Sequence, residues 1–397
     1  MITAALRLAL RHARWNWPIN AVLVLSLALL IFLPLGLQVI TDTVAAQWRA
    51  RADQTPLVIG PRGSRVDLVL HALYHQPAGP DHLRFADAEA INASSLANAI
   101  PVYTRHSAQG YPIVGTSSEY FVFRNLDLGR GEPLTVIGEA VLGHQVAREL
   151  SLNPGDFLIT DPENPFHIAA AYPLKLRVVG IFQPTGSPDD SAVFVDPKTA
   201  WIISGIGHGH EDLENADAEN TSILSRESNR VVANASLEEY VVITPENIAS
   251  FHFHAADQDL PLTAIIALPT DKRAETILRG RYLSPGLSTQ ALKPAVVVED
   301  LLTVVFRTRT LAQAALILIA LGTGALLILV VALSQRLRLE EMQSLRALGA
   351  SRGFLFAVVA SELIGVLALA ALMALAGVWA MLRLLPMDQV ILHLGVG

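Results

Sequence analysis

The stretch GHGHEDLENADAEN, residues 207–220, places His208, His210, Glu211 and Asp212 close together. Imidazole and carboxylate are the ligands of divalent transition metals, zinc among them. FHFHAADQD, residues 251–259, adds His252 and His254, which a strand would turn to one face. These six residues are a candidate metal set, although no spacing among them fixes a coordination geometry. The stretch is also acidic and poor in hydrophobic residues, so a solvated loop accounts for it too.

Other chemistry is sparse. GxxxxGK[ST] does not occur, so the chain carries no P-loop of its own, and neither HExxH nor GxSxG is present. No catalytic residue is assigned. The net charge of −7, with no basic stripe interleaved with aromatics, excludes nucleic acid as a partner. With no cysteine, a large domain must be held by its own core.

A second kind of chemistry, mechanical rather than catalytic, is suggested by RLRLEEMQSLRALGAS, residues 336–351. This stretch has neither Gly nor Pro before Gly349. Leu337, Met342, Leu345 and Leu348 form a partial apolar stripe, flanked by Glu341 and Arg346. Gly349 supplies a helix stop, and Ser351 is a candidate N-cap for whatever follows. The spacing predicts a short helix, a handle that a partner could grip.

The elements that must hold this handle are apolar. Of the 397 residues 52% are hydrophobic and 16% charged, and mean hydropathy is +0.41. AVLVLSLALLIFLPLGLQV (21–39), LAQAALILIALGTGALLILVVAL (311–333) and FLFAVVASELIGVLALAALMALAGVWAML (354–382) each reach the roughly 20 apolar residues of a spanning helix. Only the third holds a charge, Glu362. The first run is longer than the apolar region of a cleaved leader and reads as a retained anchor. Arg7, Arg11 and Arg14 precede it without an acid, and Arg336, Arg338, Arg346 and Arg352 crowd the short second loop. The positive-inside rule puts both segments in the cytoplasm and residues 41–310 outside.

The expected fold class is therefore a membrane protein, with α-helical spans and a large α+β extracytoplasmic domain between the first and second. The expected order is 1–19 cytoplasmic, 20–40 span, 41–310 outside, 311–333 span, 334–353 cytoplasmic, 354–382 span and 383–397 an outside tail. In the outside domain, RVDLVLHALYH reads as a helix with Val66, Leu70, Leu73 and Tyr74 inward, and EAVLGHQVARELSL reads as another helix. DKRAETILRGRYL reads as a third, with Ala274, Ile277 and Leu278 on one face. PLVIG, YPIVGTS, LKLRVVGIF, SAVFVD, YVVI and LTAIIAL read as strands.

Here the residues carry a resemblance. E-M-x-x-L-R-A-L-G-A-S, followed by a span with an early Glu in SELIG, resembles the FtsX-like permease module of MacB, the lipoprotein-releasing permeases LolC and LolE, and FtsX. VIGPRGSRVDLVLHALYH, YPIVGTSSEYF and GEAVLGHQVARELSLNPGDFL are similar to the MacB-type periplasmic domain. The resemblance implies a non-catalytic permease subunit of a mechanotransmission ABC transporter in a bacterial inner membrane. It implies that Glu341, Met342, Leu345, Arg346, Leu348, Gly349, Ala350 and Ser351 form the coupling helix that docks on a separate ATP-binding subunit. ATP and Mg²⁺ would sit on that subunit, and no cofactor would bind directly to this chain unless zinc sits at the histidine stretch. The implied assembly is two permeases with two ATPases, with membrane lipids and an extracytoplasmic partner as further contacts. A regulator that activates a cell-wall hydrolase is the alternative. Residues of about 44–115 and 240–305 would be porter-like, and about 116–240 Sabre-like. The family has four spans and three are counted here, so the chain is expected to stop before its fourth.

Overall fold

The computed structural model describes residues 2–76, 82–162, 173–209, 223–227, 230–233, 241–253, 255–284 and 286–384. They form two compact units, residues 1–47 with those from 301 onward, and residues 48–300.

The first unit is helical. Trp17–Gln54, Pro294–Leu337 and Arg352–Leu384 are its long helices, each long and apolar enough to cross a membrane by length and composition. Small residues set how closely they pack. Ala28 and Val24 meet Ala370, and a Cβ added at Gly377 would stand 3.1 Å from the Phe32 ring. A shorter helix, Ile2–Trp15, lays Ala5 and Ala9 against Val358. Leu8 packs there too, while Leu6, Leu10 and Trp15 are exposed, as suits an amphipathic helix at a bilayer surface.

The second unit is α+β, built on a mixed ten-stranded sheet. From one edge the order is Thr289–Leu292, Leu57–Pro61, Ala264–Pro269, Ala97–Ala108, Tyr111–Thr116, Val193–Val195, Glu139–Leu142, Lys175–Phe182 and Leu128–Gly131, and Phe157–Ile159 also pairs with Lys175–Phe182. Pairing is antiparallel except where Val193–Val195 meets Tyr111–Thr116 and where Lys175–Phe182 meets Glu139–Leu142. At the first edge Val58 stands opposite Leu292. Leu57, Ile59, Leu142, Leu158 and Trp201 are fully buried in one core. Trp201 also donates its indole N–H to the Pro261 carbonyl at 2.7 Å, so its polar tip is satisfied.

Several sequence expectations need correction. EAVLGHQVARELSL is not one helix: Glu139–Leu142 is a strand, Gly143 turns the chain, and the helix covers only His144–Glu149. A short apolar run does not reveal its own period, and the neighbouring strands decide it. Gly143 is needed here, because an added Cβ would lie 2.3 Å from the Asp189 carbonyl oxygen. In helix Arg65–Tyr74 the expected Leu73 and Tyr74 are buried, but Val66 and Leu70 are only half-buried, and Leu68, Val69, His71 and Ala72 complete the buried face. In helix Lys272–Arg281, Ala274 and Leu278 are buried while Ile277 is exposed. Within YVVI, Val242 makes only an isolated bridge to Lys175, and Tyr240 lies outside the described residues.

Candidate functional site

The short element at 336–351 is resolved into parts. Arg336 and Leu337 end the long helix Pro294–Leu337, Arg338 breaks it, and the short helix is Leu339–Ala347. Its end is closed by Gly349 at φ 89°. The Gly349 N–H donates to Arg346 O at 3.0 Å and the Ala350 N–H to Leu345 O at 3.1 Å, the double closure that a left-handed residue permits. Ser351 then accepts from the Phe354 N–H at 3.2 Å and caps helix Arg352–Leu384. Met342, Leu345 and Ala350 are half-buried, while Arg346, Gly349 and Ser351 are exposed. The side chain of Glu341 lies outside the described residues. Leu348 is 86% exposed, a large apolar side chain left largely uncovered by the described residues.

The break at Arg338 is tied down. Its guanidinium donates to Glu362 Oε2 at 2.8 Å and also contacts the His12 ring, whose Nδ1 stands 3.4 Å from Glu362 Oε1. Three helices thus converge on one carboxylate next to the short helix. The clue in the sequence was Glu362 itself. An acid inside a span demands a partner, and the candidate arginines were already crowded in the neighbouring loop.

The histidine set divides differently. His208 and His252 stand opposite one another on the paired strands Gly207–Gly209 and Phe251–Phe253, with ring centroids 4.9 Å apart. His210, Glu211, Asp212 and His254 lie outside the described residues. Among the described residues no group of three or more His, Cys, Asp or Glu converges as a metal site.

Comparison with known proteins settles what kind of chain this is. The description of the MacB-like periplasmic core domain matches residues 22–250. The chain belongs to the MacB-like periplasmic core domain family. It is a membrane permease of the MacB/FtsX type from an ABC transporter. Among solved structures, it is similar to the periplasmic region of MacB from Actinobacillus actinomycetemcomitans. That pair is 12% identical over 62% of this chain and 92% of the other, with a TM-score of 0.35. It is also similar to the extracellular domain of the noncanonic ABC-type transporter YknZ from Gram-positive bacteria. There the identity is 10%, over 59% of this chain and 98% of the other, with a TM-score of 0.32. No curated protein matches it.

Inside the MacB-like domain lies a buried polar network that sequence reading missed. Arg51, near the end of helix Trp17–Gln54, forks onto Asp189, with Nη1–Oδ2 at 2.7 Å and Nη2–Oδ1 at 2.9 Å. His75 Nε2 and the Tyr120 hydroxyl also donate to Asp189 Oδ1, at 2.9 and 2.7 Å. Burial pushes the Asp189 carboxyl up, but the Arg51 charge and the hydrogen bonds from His75 and Arg51 outweigh it and hold it well below the usual carboxylate range. Burial drives the His75 imidazole down, against its hydrogen bond to Asp189 and the charge of Asp189. Nothing local singles out Arg51. Arg49, two residues earlier on the opposite side of the helix, is exposed and pairs with Glu299.

His71, in the same permease domain, makes a pH prediction. Its Nε2 lies 2.7 Å from Thr263 Oγ1 and its Nδ1 2.5 Å from the Gln76 carbonyl. Burial pushes the imidazole from 6.5 down to about 4, against the hydrogen bond to Gln76, with His75 adding a smaller push downward. The unfolded chain takes up this proton near 6.5 and the folded one only near 4. Stability is therefore lost as pH falls through that window, by about 3 kcal/mol in full. Melting temperatures between pH 7 and 4.5 will fall less steeply for His71→Gln than for the parent; equal slopes would show that His71 does not carry the effect.

Proposed function

We propose that this permease couples ATP hydrolysis by a separate cytoplasmic subunit to work on a substrate at the outer face of the membrane. Its N-terminus is cytoplasmic in this reading. Helix Leu339–Ala347 and the turn that follows it are the docking element, and a second permease copy completes the assembly. The observation that carries the proposal is Leu348, displayed just past Arg346 at the closed C-terminal end of a short helix between two span-length helices. An exposed leucine on so ordered a corner is the anchor that a partner's pocket would take. The Arg338–Glu362–His12 cluster fixes the start of that helix, so a push on it reaches two other helices rather than dissipating in a loose loop.

The test is co-purification from native membranes of the full-length chain, beside Arg346→Ala and Leu348→Asp. A P-loop ATPase that accompanies the parent and is lost from Leu348→Asp supports the reading. The absence of an ATPase with any of the chains would remove it.

A metal-linked role rests on the cross-strand pair of His208 and His252. Imidazoles at this separation can share one divalent ion. Calorimetry of the full-length chain with Zn²⁺ is expected to give a saturable heat that the His208→Ala/His252→Ala double variant lacks. The same heat from both chains would end the metal reading.

A further inference from the structure

The helical unit holds a cavity of about 850 Å³, within the roughly 300–1,000 Å³ of ligand sites. Its walls come from helices Trp17–Gln54, Pro294–Leu337 and Arg352–Leu384, with His12, Trp15 and Asn16 ahead of the first. The lining is sorted along its length. On the first helix it passes from Asn20 to Leu23 and Leu27, on the second from Ser334 to Val331 and Leu327, and on the third from Glu362 to Val366. The polar members share one end, where Asn16 meets the His12 ring and Arg338 joins His12 to Glu362. We propose that this cavity is a binding site for one anionic phospholipid, with an acyl chain along the apolar part and the phosphodiester at Arg338.

The chemistry of the two ends selects that ligand. The three long helices are the ones long and apolar enough to cross a membrane, so the medium beside the apolar part is hydrocarbon. A bare alkyl chain would leave the polar end unmatched. Arg338 gives Nη1 to Glu362 at 2.8 Å and Nη2 to the His12 ring, which uses only part of a donor set well suited to phosphate. The surrounding charge is positive. Residues 1–19 and 334–353 together with Glu362 carry seven arginines against three glutamates. Basic pockets between spanning helices take anionic headgroups. Trp15 and Trp17 are exposed at the same end, the level at which indoles and headgroups meet.

Room for the chain is visible at Gly324. It lines the cavity, and a Cβ added there would meet nothing within 4 Å. From Gly324 to Ser334 the helix rises about 15 Å, the reach of a good part of an acyl chain. The headgroup would lie against the Arg338–Glu362 pair that also holds the start of the short helix. The site does not rest on the docking reading, however, and its test reads lipid rather than an ATPase.

The experiment is native mass spectrometry of the full-length chain in detergent, stripped of lipid and titrated with palmitoyl-oleoyl phosphatidylglycerol or phosphatidylcholine. The parent should take up one phosphatidylglycerol saturably, about 10-fold more tightly than phosphatidylcholine. Gly324→Leu puts a side chain into the cavity and should weaken this uptake by about 10-fold or more. It should also melt at or above the parent, because a helix-interior glycine has gone. Gly322→Leu makes the same change where the space is equally open but outside the cavity lining, and it should bind as the parent does. Arg338→Gln should keep lipid but lose the preference for phosphatidylglycerol. Equal uptake by the parent and Gly324→Leu would place the lipid elsewhere on the surface and overturn the site. Equal loss in both glycine variants, or a parent that prefers neither lipid, would overturn it too. A lipid-free parent dimer would give the cavity to a second copy instead.

Discussion

Replacing Asp189 with alanine is expected to destabilise the MacB-like domain by about 3–5 kcal/mol, the cost of leaving a buried charge without its partner. Arg51 and Asp189 are respectively 7% and 2% exposed, so water cannot take over the role of the carboxylate. The loss also strands the donors of His75 and Tyr120. At roughly 2–4 °C per kcal/mol for a domain of this size, the melting temperature should fall by roughly 6–20 °C. Asp189→Asn keeps the shape and should cost less. The double replacement Arg51→Met/Asp189→Leu should recover much of the loss, because it removes both charges at once. A drop below about 1 kcal/mol for Asp189→Ala would mean that solvent reaches Arg51 after all. The pH dependence has a definite sign. The depressed carboxyl contributes fully at neutral pH, and its contribution is lost only as pH falls through its lowered folded value, well below the ordinary 3.8.

Leu348→Asp is expected to weaken capture of the ATP-binding subunit by about 30-fold or more, corresponding to the 2 kcal/mol or more of a buried anchor residue. The introduced carboxylate would have to be desolvated in an apolar pocket, which adds to the lost contact. Arg346→Ala should cost less, since an exposed charge at a rim contributes little. Neither change should alter the melting temperature by more than about a degree, because both side chains are exposed among the described residues. If Leu348→Asp retains the ATPase at the parental level, the docking surface lies elsewhere.

These two sites were unequally legible. The short helix stood out because its neighbours are long apolar runs, its Gly349 is a local stop signal and its Ser351 is a local cap. Everything needed to read it lies within sixteen residues. The Asp189 network joins residues 51, 75, 120 and 189, and its closest sequence separation is still 24. No periodicity or motif links them, and Asp189 sits in SPDDSA, where it looks like an ordinary turn acid. The long helices were legible from the absence of charge, and Leu57–Pro61 from its apolar run between punctuating residues. Strand Glu139–Leu142 was misread because four apolar-leaning residues suit either period, and the partners that decide the matter, Val193–Val195 and Lys175–Phe182, follow decades of residues later. The Arg338–Glu362 pair falls between these cases: the acid was conspicuous, and its partner was one of several arginines nearby.

The sheet edge has a consequence for how such chains diversify. Val58 lies opposite Leu292, so the polypeptide enters the 48–300 unit and leaves it along two antiparallel neighbours. An insertion whose two ends meet in one ladder can be exchanged for another of different length and content without moving its attachment points. The 233 residues between that pair form a cassette, and a lineage can recombine new cassettes onto an old helical chassis.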